Sequence, residues 1–156
     1  TYLREAELPI VTAWIPEDST VHWLLVVVPQ NWRELLPGVS SEALAQRIGE
    51  VLFKTDAMVF IPKVYVVDDD FDPTNLREVV WALSTRVHPV GRRVVFDDQR
   101  VIRLPQCYEE EEYVAGKGAK VVFDTLQSTR HLHASFEKGY PEEVRQRVLE
   151  NWPSEL

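Results

Sequence analysis

The feature that most constrains the fold is the junction at residues 61–89, which reads IPKVYVVDDDFDPTNLREVVWALSTRVHP. An apolar strand over residues 63–67 runs into a cluster of aspartates, and a helical pattern follows at once. Asp72 is expected to cap this helix, with Pro73 as its first residue, where a missing N–H costs nothing. Ligands of α/β proteins bind beyond the carboxyl ends of parallel strands. The junction is therefore the first place to look for chemistry.

The helix after the aspartates is predicted to be amphipathic, with one apolar face and one solvent-exposed face. The apolar side chains at helical spacing are Leu76, Val79, Val80 and Leu83. The side chains expected to remain in solvent are Arg77, Glu78 and Arg86. This pattern predicts that the helix packs on a sheet through one side only.

Strands and helices alternate along the chain. Further strands are predicted over residues 10–15, 21–28, 93–96 and 120–123. The nearly continuous apolar run at 21–28 is typical of a strand that is covered on both faces. We therefore predict an α/β fold with one domain over residues 1–156. It has three layers, with a mixed, mostly parallel sheet flanked by helices and a C-terminal helix.

Two further helices and two loops complete the prediction. Ser40 or Ser41 can cap a helix that runs to about residue 54. The last helix is expected to open at residues 139–141 and to end near Trp152. Residues 29–39 are predicted to be irregular, and the four consecutive glutamates at 109–112 are predicted to form a solvated loop.

Charge and composition exclude several classes of partner. The net charge of -8 argues against binding to a nucleic-acid backbone, which needs clustered Lys and Arg. No apolar run approaches the ~18–20 residues that span a bilayer. Cys107 is the single cysteine, so neither an internal disulfide nor a cysteine zinc site can form. We therefore expect a cytoplasmic protein that binds neither nucleic acid nor membrane.

The pattern Asp70-Phe71-Asp72-Pro73-Thr74 allows a phosphatase interpretation. It resembles the first motif of haloacid dehalogenase-like phosphatases, in which one Asp attacks phosphorus, a second acts as acid and base, and Mg²⁺ screens the charge. Here the motif lies two residues too far from the end of the predicted strand at Val67. The alternative is structural, since aspartates near a helix N-terminus also cap it and face the positive end of its dipole.

A short basic cluster follows the last predicted strand. Arg130 precedes His131 and His133 at this point. An i, i+2 pair of histidines is a partial metal site, but a third ligand is missing from the sequence. Such a cluster is typical of a surface loop or of a pocket for an anionic ligand, where a guanidinium suits a carboxylate.

Four segments together resemble one enzyme family. The strand, aspartate turn and helix at 61–89 resemble the C-terminal domain of UbiD-like carboxy-lyases, in particular the ferulic-acid-decarboxylase subgroup. The segments LPIVTAWIP, GAKVVFDTL and FEKGYPEEVRQRVLENW, which are residues 8–16, 118–126 and 136–152, agree in order and spacing. Together these segments cover most of the chain, and their collinearity carries the resemblance.

The resemblance implies a function for the whole enzyme. Members use prenylated FMN, with a divalent metal and with K+ as a further candidate, to decarboxylate α,β-unsaturated or aromatic acids reversibly. The catalytic Glu–Arg–Glu network and the metal belong to a preceding N-terminal domain, so no catalytic, cofactor or metal residue is expected here. The start at Thr1 suggests the C-terminal half of such an enzyme. Its implied roles are to form a homodimer or higher homo-oligomer and to close one wall of the substrate pocket.

The loop after residues 118–126 departs from the family pattern. Cinnamate-type enzymes continue with an apolar, proline-containing triplet, whereas here the chain continues with Gln127, Ser128, Thr129, Arg130 and His131. The resemblance makes these five residues the substrate-binding candidates, with Arg93 and Phe96 as further candidates. Polar groups left unpaired against an apolar ligand penalise its binding. We therefore expect a polar or heteroaromatic acid as substrate.

A third interpretation treats the chain as a standalone oligomerisation or binding module. It would have no catalytic partner domain. Exposed tryptophans at positions 32, 81 or 152 on a contiguous apolar patch would indicate such an interaction surface.

Overall fold

In the computed structural model, which describes residues 2–130 and 142–151, five strands form one sheet. The strands are β1 Thr12–Trp14, β2 Trp23–Val28, β3 Lys63–Asp68, β4 Arg93–Arg100 and β5 Lys117–Asp124. The helices are α1 Tyr2–Glu5, α2 Trp32–Leu35, α3 Ser41–Leu52, α4 Leu76–Arg86, α5 Glu110–Ala115 and α6 Glu142–Asn151. No helix among these is long and apolar enough to cross a membrane.

The sheet is mixed, and its parallel strands lie in the middle. Its order is β1-β2-β3-β5-β4. The pairs β2–β3 and β3–β5 are parallel, whereas the edge strands β1 and β4 pair antiparallel with their neighbours. The α/β prediction is confirmed. The carboxyl ends of β2, β3 and β5 therefore meet at one edge of the sheet, which positions the residues that follow them.

Helices cover both faces of the sheet, and each face has its own core. On one face, Leu44 and Ile48 of α3 pack against Val26 and Val122, and we call this core the α3 layer. On the other face, α4 packs on Leu25, Tyr65 and Val67 through Val79 and Ala82. Ser40 caps α3, because its side chain accepts a hydrogen bond from the Ala43 N–H, as the sequence predicts.

Helix α4 begins later than its sequence suggests, and its buried face is rotated. Asn75, not Asp72, is the cap, since the Asn75 side chain accepts from the Arg77 N–H. Asp72 instead forms an Asx turn, accepting from the Thr74 N–H and hydroxyl at 2.8 and 2.7 Å. The expected cap at Asp72 is thus wrong.

The side chains that α4 buries also differ from the prediction. The prediction is wrong for Glu78, which is buried, and for Leu76, which is exposed. Glu78 accepts from the Asp72 N–H and from the Asn75 side-chain amide, so its burial is compensated by hydrogen bonds. Val80, expected on the apolar face, is also exposed.

Two predicted loops are in fact partly helical. The glutamate run enters α5, where Glu109 and Glu112 form a capping box and the acidic first turn faces the positive end of the helix dipole. Residues 29–39 contain the short helix α2, whose Trp32 is only 1% exposed. Trp32 therefore offers no interaction surface, and Trp81 is half-buried. The predicted last helix is confirmed within α6, while residues 139–141 and Trp152 lie outside the described residues.

Candidate functional site

The loop that follows β5 is bound to the aspartate cluster that follows β3. The Gln127 N–H donates to Asp68 Oδ2 at 2.6 Å, and its side-chain amide donates to Asp70 Oδ2 at 2.8 Å. The Gln127 carbonyl accepts from Arg33 Nη2 at 3.0 Å. Backbone and side chain of one residue are thus both fixed, and Gln127 itself is buried.

Asp70 is held by a buried ion pair with Arg86, the last residue of α4. The guanidinium donates through both terminal nitrogens, at 2.9 Å to Oδ1 and 2.5 Å to Oδ2. The two side chains are only 7% and 2% exposed, and the guanidinium also lies 5.3 Å from the Trp81 ring centroid. We call Asp68, Asp70, Arg86 and Gln127 the carboxyl-edge network. Bidentate geometry with a further donor is what a buried carboxylate needs to remain charged.

Asp68 differs from Asp70 in its electrostatics. The pKa of Asp68 is raised to about 6, mainly by burial and also by the nearby Asp70, while the hydrogen bond from Gln127 opposes the shift. A carboxyl with this pKa exchanges its proton near neutral pH. It is nonetheless directed at the loop backbone rather than at open solvent, since Asp68 is 2% exposed.

A second ion pair fixes the other side of the same loop. Arg92 donates to both carboxylate oxygens of Asp124 at 3.1 and 2.8 Å and to the Leu126 carbonyl at 2.5 Å. Arg92 has a φ of 53°, a left-handed conformation that is uncommon for a residue with a Cβ. Its hydrogen bonds to the end of β5 hold the turn after α4 in this conformation.

Between these two ion pairs lies a cleft of about 470 Å³. It is formed by the end of α4, the turn that follows, and residues 126–128. Its apolar wall consists of Trp81, Val87, Pro89 and Leu126. The polar residues that line it are Thr85, Arg86, His88, Arg92, Gln127 and Ser128. A largely apolar cleft with a few fixed polar groups is typical of a small-molecule site.

A profile of the 3-octaprenyl-4-hydroxybenzoate carboxy-lyase C-terminal domain (UbiD_C) matches residues 1–125. The chain belongs to this family. Among its relatives, ferulic acid decarboxylase 1 of Saccharomyces cerevisiae is 30% identical over 155 residues, covering 95% of this chain and 31% of that protein. Pyrrole-2-carboxylic acid decarboxylase of Pseudomonas aeruginosa is also 30% identical over 155 residues, with coverages of 96% and 31%.

A solved structure agrees with this assignment at the level of the fold. The UbiD-class enzyme HmfF from Pelotomaculum thermopropionicum, in complex with FMN, matches with a TM-score of 0.63 and 17% identity. The match covers 97% of this chain and 31% of that chain. With 31% coverage of each of the two decarboxylases named above, the UbiD-type chain spans about a third of the length of these curated relatives.

The UbiD-type cleft contains some of the residues predicted from sequence and not others. Gln127 and Ser128 line it, and Ser128 Oγ accepts from the Arg130 N–H. Thr129 and Arg130 are exposed beyond its rim. The predicted residues His131 and His133 lie outside the described part of the chain.

Arg93 and Phe96 occupy opposite faces of the edge strand β4. Arg93 is exposed and pairs in register with Phe123. Phe96 packs edge-on against Phe53 at a centroid distance of 5.1 Å, on the face of α3. Neither residue lines the cleft between the ion pairs.

Sequence reasoning missed Arg86, Arg92 and His88 as components of the site. The helical pattern predicts Arg86 in solvent because charged side chains of an amphipathic helix are normally exposed, whereas its burial depends on Asp70. Its partner Asp70 lies 16 residues earlier in the chain, and Arg92 lies 32 residues before Asp124. No local spacing signals such pairs. The motif VHP directly after a helix was the one available clue to a polar turn at this edge.

The aspartate geometry does not favour the phosphatase interpretation. Asp70, the expected nucleophile, is engaged by a bidentate guanidinium and by the Gln127 amide. Asp72, the expected acid and base, is an exposed Asx-turn residue, and its hydrogen bonds with Thr74 lower its pKa. A carboxylate that must attack phosphorus needs an accessible oxygen, which Asp70 lacks.

The described residues also do not fit a flavin phosphate. A bound phosphate is held by cationic side chains or by backbone N–H groups at a helix start. Arg86 and Arg92, the guanidiniums of the cleft, are already matched by Asp70 and Asp124. Among residues 2–130 and 142–151, no three His, Cys, Asp or Glu side chains are grouped to hold a metal ion. We therefore assign no flavin chemistry to these residues.

Proposed function

We propose that this chain is the pocket-closing and assembly domain of a prenylated-FMN-dependent reversible decarboxylase. Its substrate is an aromatic, heteroaromatic or α,β-unsaturated carboxylic acid, and the chain is inactive alone. The observation that carries the proposal is the cleft between α4 and residues 126–128, with Gln127 fixed in its wall. The decarboxylase relatives support the reaction class.

Charge balance suggests which end of the substrate this cleft receives. Its two guanidiniums are each neutralised by a buried or half-buried ion pair, so among the described residues that line the cleft a substrate carboxylate would find no unmatched guanidinium. An apolar wall with Trp81 and Leu126 suits a planar ring instead. The N-terminal domain would then bind the substrate carboxylate, the prenylated FMN, the divalent metal and K+.

The polar loop suggests a preference within this substrate class. Gln127 and Ser128 replace apolar side chains in the cleft wall, while Thr129, Arg130 and His131 continue the loop. Arg93 and Phe96, which do not line this cleft, stay as secondary candidates for substrate contact. Gln127 is already bonded to Asp68, Asp70 and Arg33, so the preference rests on the Ser128 hydroxyl, which accepts from the Arg130 N–H and can donate to a polar or heteroaromatic ring but not to an unsubstituted phenyl ring.

The first test compares the chain with the intact gene product. Purified protein, supplied with prenylated FMN, is assayed for CO₂ release from ferulic, cinnamic, pyrrole-2-carboxylic and vanillic acids. We expect the intact product to release CO₂ from at least one of these acids and the 156-residue chain to release none. Decarboxylation by the isolated chain would contradict its proposed non-catalytic role, and an inactive intact product would contradict the reaction class.

The assembly role is tested separately from the chemistry. Sedimentation equilibrium of the chain and of the intact product should give a homodimer or higher homo-oligomer for both. A monomeric chain within an oligomeric intact product would assign assembly to another domain. In cells, fractionation should place the intact product in the cytoplasm.

The specificity of the loop is tested by substitution in the intact product. Replacing Gln127, Ser128 and Thr129 with Leu, Pro and Leu should shift preference from pyrrole-2-carboxylic acid toward cinnamic acid. One hydrogen bond is worth about 1 kcal/mol, so we expect a shift of roughly fivefold in the ratio of kcat/KM. Gln106→Leu, an exposed amide far from the cleft, is the control. An unchanged substrate profile would eliminate this loop as the determinant.

A further inference from the structure

His88 lies at the turn after α4 and lines the cleft. Its Nδ1 accepts hydrogen bonds from the Gly91 N–H at 2.7 Å and from the Val90 N–H at 3.2 Å. A nitrogen that accepts two N–H donors carries no proton itself. The neutral imidazole is therefore in the tautomer that has its proton on Nε2.

The backbone enforces this tautomer. A Cβ at position 91 would lie 3.3 Å from His88 Nδ1, so glycine lets the backbone approach the ring closely. The next residue, Arg92, is bound to Asp124 and to the Leu126 carbonyl. The turn that orients His88 is thus tied to the loop that forms the opposite wall of the cleft.

The proton on Nε2 is a donor that the fold leaves unused. In the part of the chain that the structure describes, no group accepts a hydrogen bond from Nε2 of His88. The nearby donors Arg86 and Arg92, by contrast, are matched by carboxylates. An oriented donor at the rim of an apolar cleft suits an acceptor atom carried by the ring of a ligand.

We propose that His88 is a specificity-determining residue that donates a hydrogen bond from Nε2 to the substrate ring. The ligand class is an aromatic or heteroaromatic acid whose ring carries an acceptor, such as a phenolic or ether oxygen. This inference rests on the proposed decarboxylase function and deepens it. It assigns ring recognition to the turn after α4 as well as to the loop after β5.

The tautomer is tested directly by NMR on the 156-residue chain labelled with ¹⁵N in its histidine rings. The spectra are recorded at pH 8. The His88 signals, identified by their loss in His88→Asn, should show a protonated Nε2 and an unprotonated Nδ1. A protonated Nδ1, or averaging between tautomers, would overturn the proposal without reference to activity.

Selectivity is tested with two variants of the intact product that separate the roles of the two nitrogens. His88→Asn keeps an acceptor near Nδ1 for the turn but has no group at the position of Nε2. His88→Gln places a donor near Nε2 but loses the turn acceptor. The readout is the ratio of kcat/KM for an acid that is turned over and its analogue without the ring acceptor, for example ferulic against cinnamic acid.

We expect His88→Asn to lower this ratio by about 3- to 10-fold, the value of one hydrogen bond, and His88→Gln to keep it within about twofold. A purely structural role gives the reverse, because Asn would then preserve function and Gln would impair it. That reversal, or no change in either variant, overturns the proposal while the decarboxylase function stands. If the unsubstituted protein decarboxylates no acid of the panel, the proposed function itself fails, and the inference fails with it.

Discussion

Two regions of this molecule are held together by different physics. The carboxyl-edge network is organised by charge, since a bidentate ion pair and a second buried carboxylate fix Gln127. The α3 layer is organised by shape, with Phe96 against Phe53 and a glycine of α3 beneath the Phe96 ring. Ion pairs and hydrogen bonds are directional, so they can fix the orientation of a loop that faces a ligand. A core needs only side chains whose shapes fit together. The difference predicts different responses to mutation.

The largest effect is expected from breaking the ion pair of the carboxyl-edge network. Asp70→Ala leaves the Arg86 guanidinium buried without its counter-ion, which typically costs about 3–5 kcal/mol. Urea unfolding of the chain measures this loss. The matched control is Asp56→Ala, whose partner Arg100 is also an arginine but whose pair is 95% and 70% exposed. The Asp56→Ala variant should lower the unfolding free energy by less than about 1 kcal/mol. Equal losses in both variants would show that burial does not distinguish the two pairs.

The second test concerns the pH response of Asp68. Its pKa is raised to about 6 from 3.8, so the folded state binds the proton more tightly than the unfolded state. Its contribution to stability is therefore highest at low pH and falls as pH rises from about 4 to about 6. Two pKa units correspond to about 2–3 kcal/mol. Asp68→Asn should remove this fall from the curve of unfolding free energy against pH, whereas Asp97→Asn on an exposed strand position should not. If the fall in unfolding free energy between pH 4 and 6 persists in Asp68→Asn, a group other than Asp68 causes it.

The third test addresses the α3 layer by shape alone. A Cβ at position 49 would overlap the Phe96 ring and lie 3.0 Å from a methyl group of Val122. Gly49→Ala gains about 1 kcal/mol of helix propensity but overpacks the core by about 1–3 kcal/mol, so we expect a net loss of up to about 2 kcal/mol. Adding Phe96→Leu should recover most of it in urea unfolding. Additive losses in the double variant would show that the two residues do not compete for space.

The two regions also differ in how far the sequence predicts them. The α3 layer follows from local signals, because Ser40 marks the start of a helix whose apolar residues recur at 3.6-residue spacing. The apolar runs of β2 and β3 follow in the same way, whereas the order of the strands in the sheet was not predicted. A resemblance to relatives identified the loop at Gln127, but not what holds it. Its bonds to Asp68 and Asp70 join residues 59 and 57 positions apart. Only the folded sheet brings these residues to one edge.

The start of α4 shows why the local signals at this edge were misread. Asp72 and Asn75 are both good caps, and sequence alone favours the first because proline follows it. The hydrogen bonds of Asp72 go to Thr74 instead, which leaves Asn75 to cap the helix. The later start does not itself change which side chains face the sheet. Glu78 and Arg86 are buried because the Asp72 N–H and the Asp70 carboxylate compensate them there, whereas an amphipathic pattern assigns charged side chains to solvent.

The smallest effect is expected at Lys120, where the α3 layer contains a charge without a carboxylate partner. Its Nζ donates to the Met58 carbonyl and lies 5.6 Å from the Phe53 ring centroid, and the residue is 3% exposed. Burial, assisted by Arg100, lowers its pKa to about 8. The charged form is therefore unfavourable in the folded state, and this cost disappears as pH rises from about 8 to 10.5.

Lys120→Met loses the hydrogen bond to the Met58 carbonyl but also removes the cost of burying the charge, so these opposing effects should leave only a small change in the unfolding free energy at pH 7. The Met58 carbonyl keeps a partner in the variant, because it also accepts from the Ile61 N–H at 3.1 Å. Between pH 8 and 10 the wild type should gain stability relative to the variant, measured by urea unfolding across that range. A loss as large as that of Asp70→Ala would mean that Lys120, too, is held by charge, and the contrast between the two regions would fail.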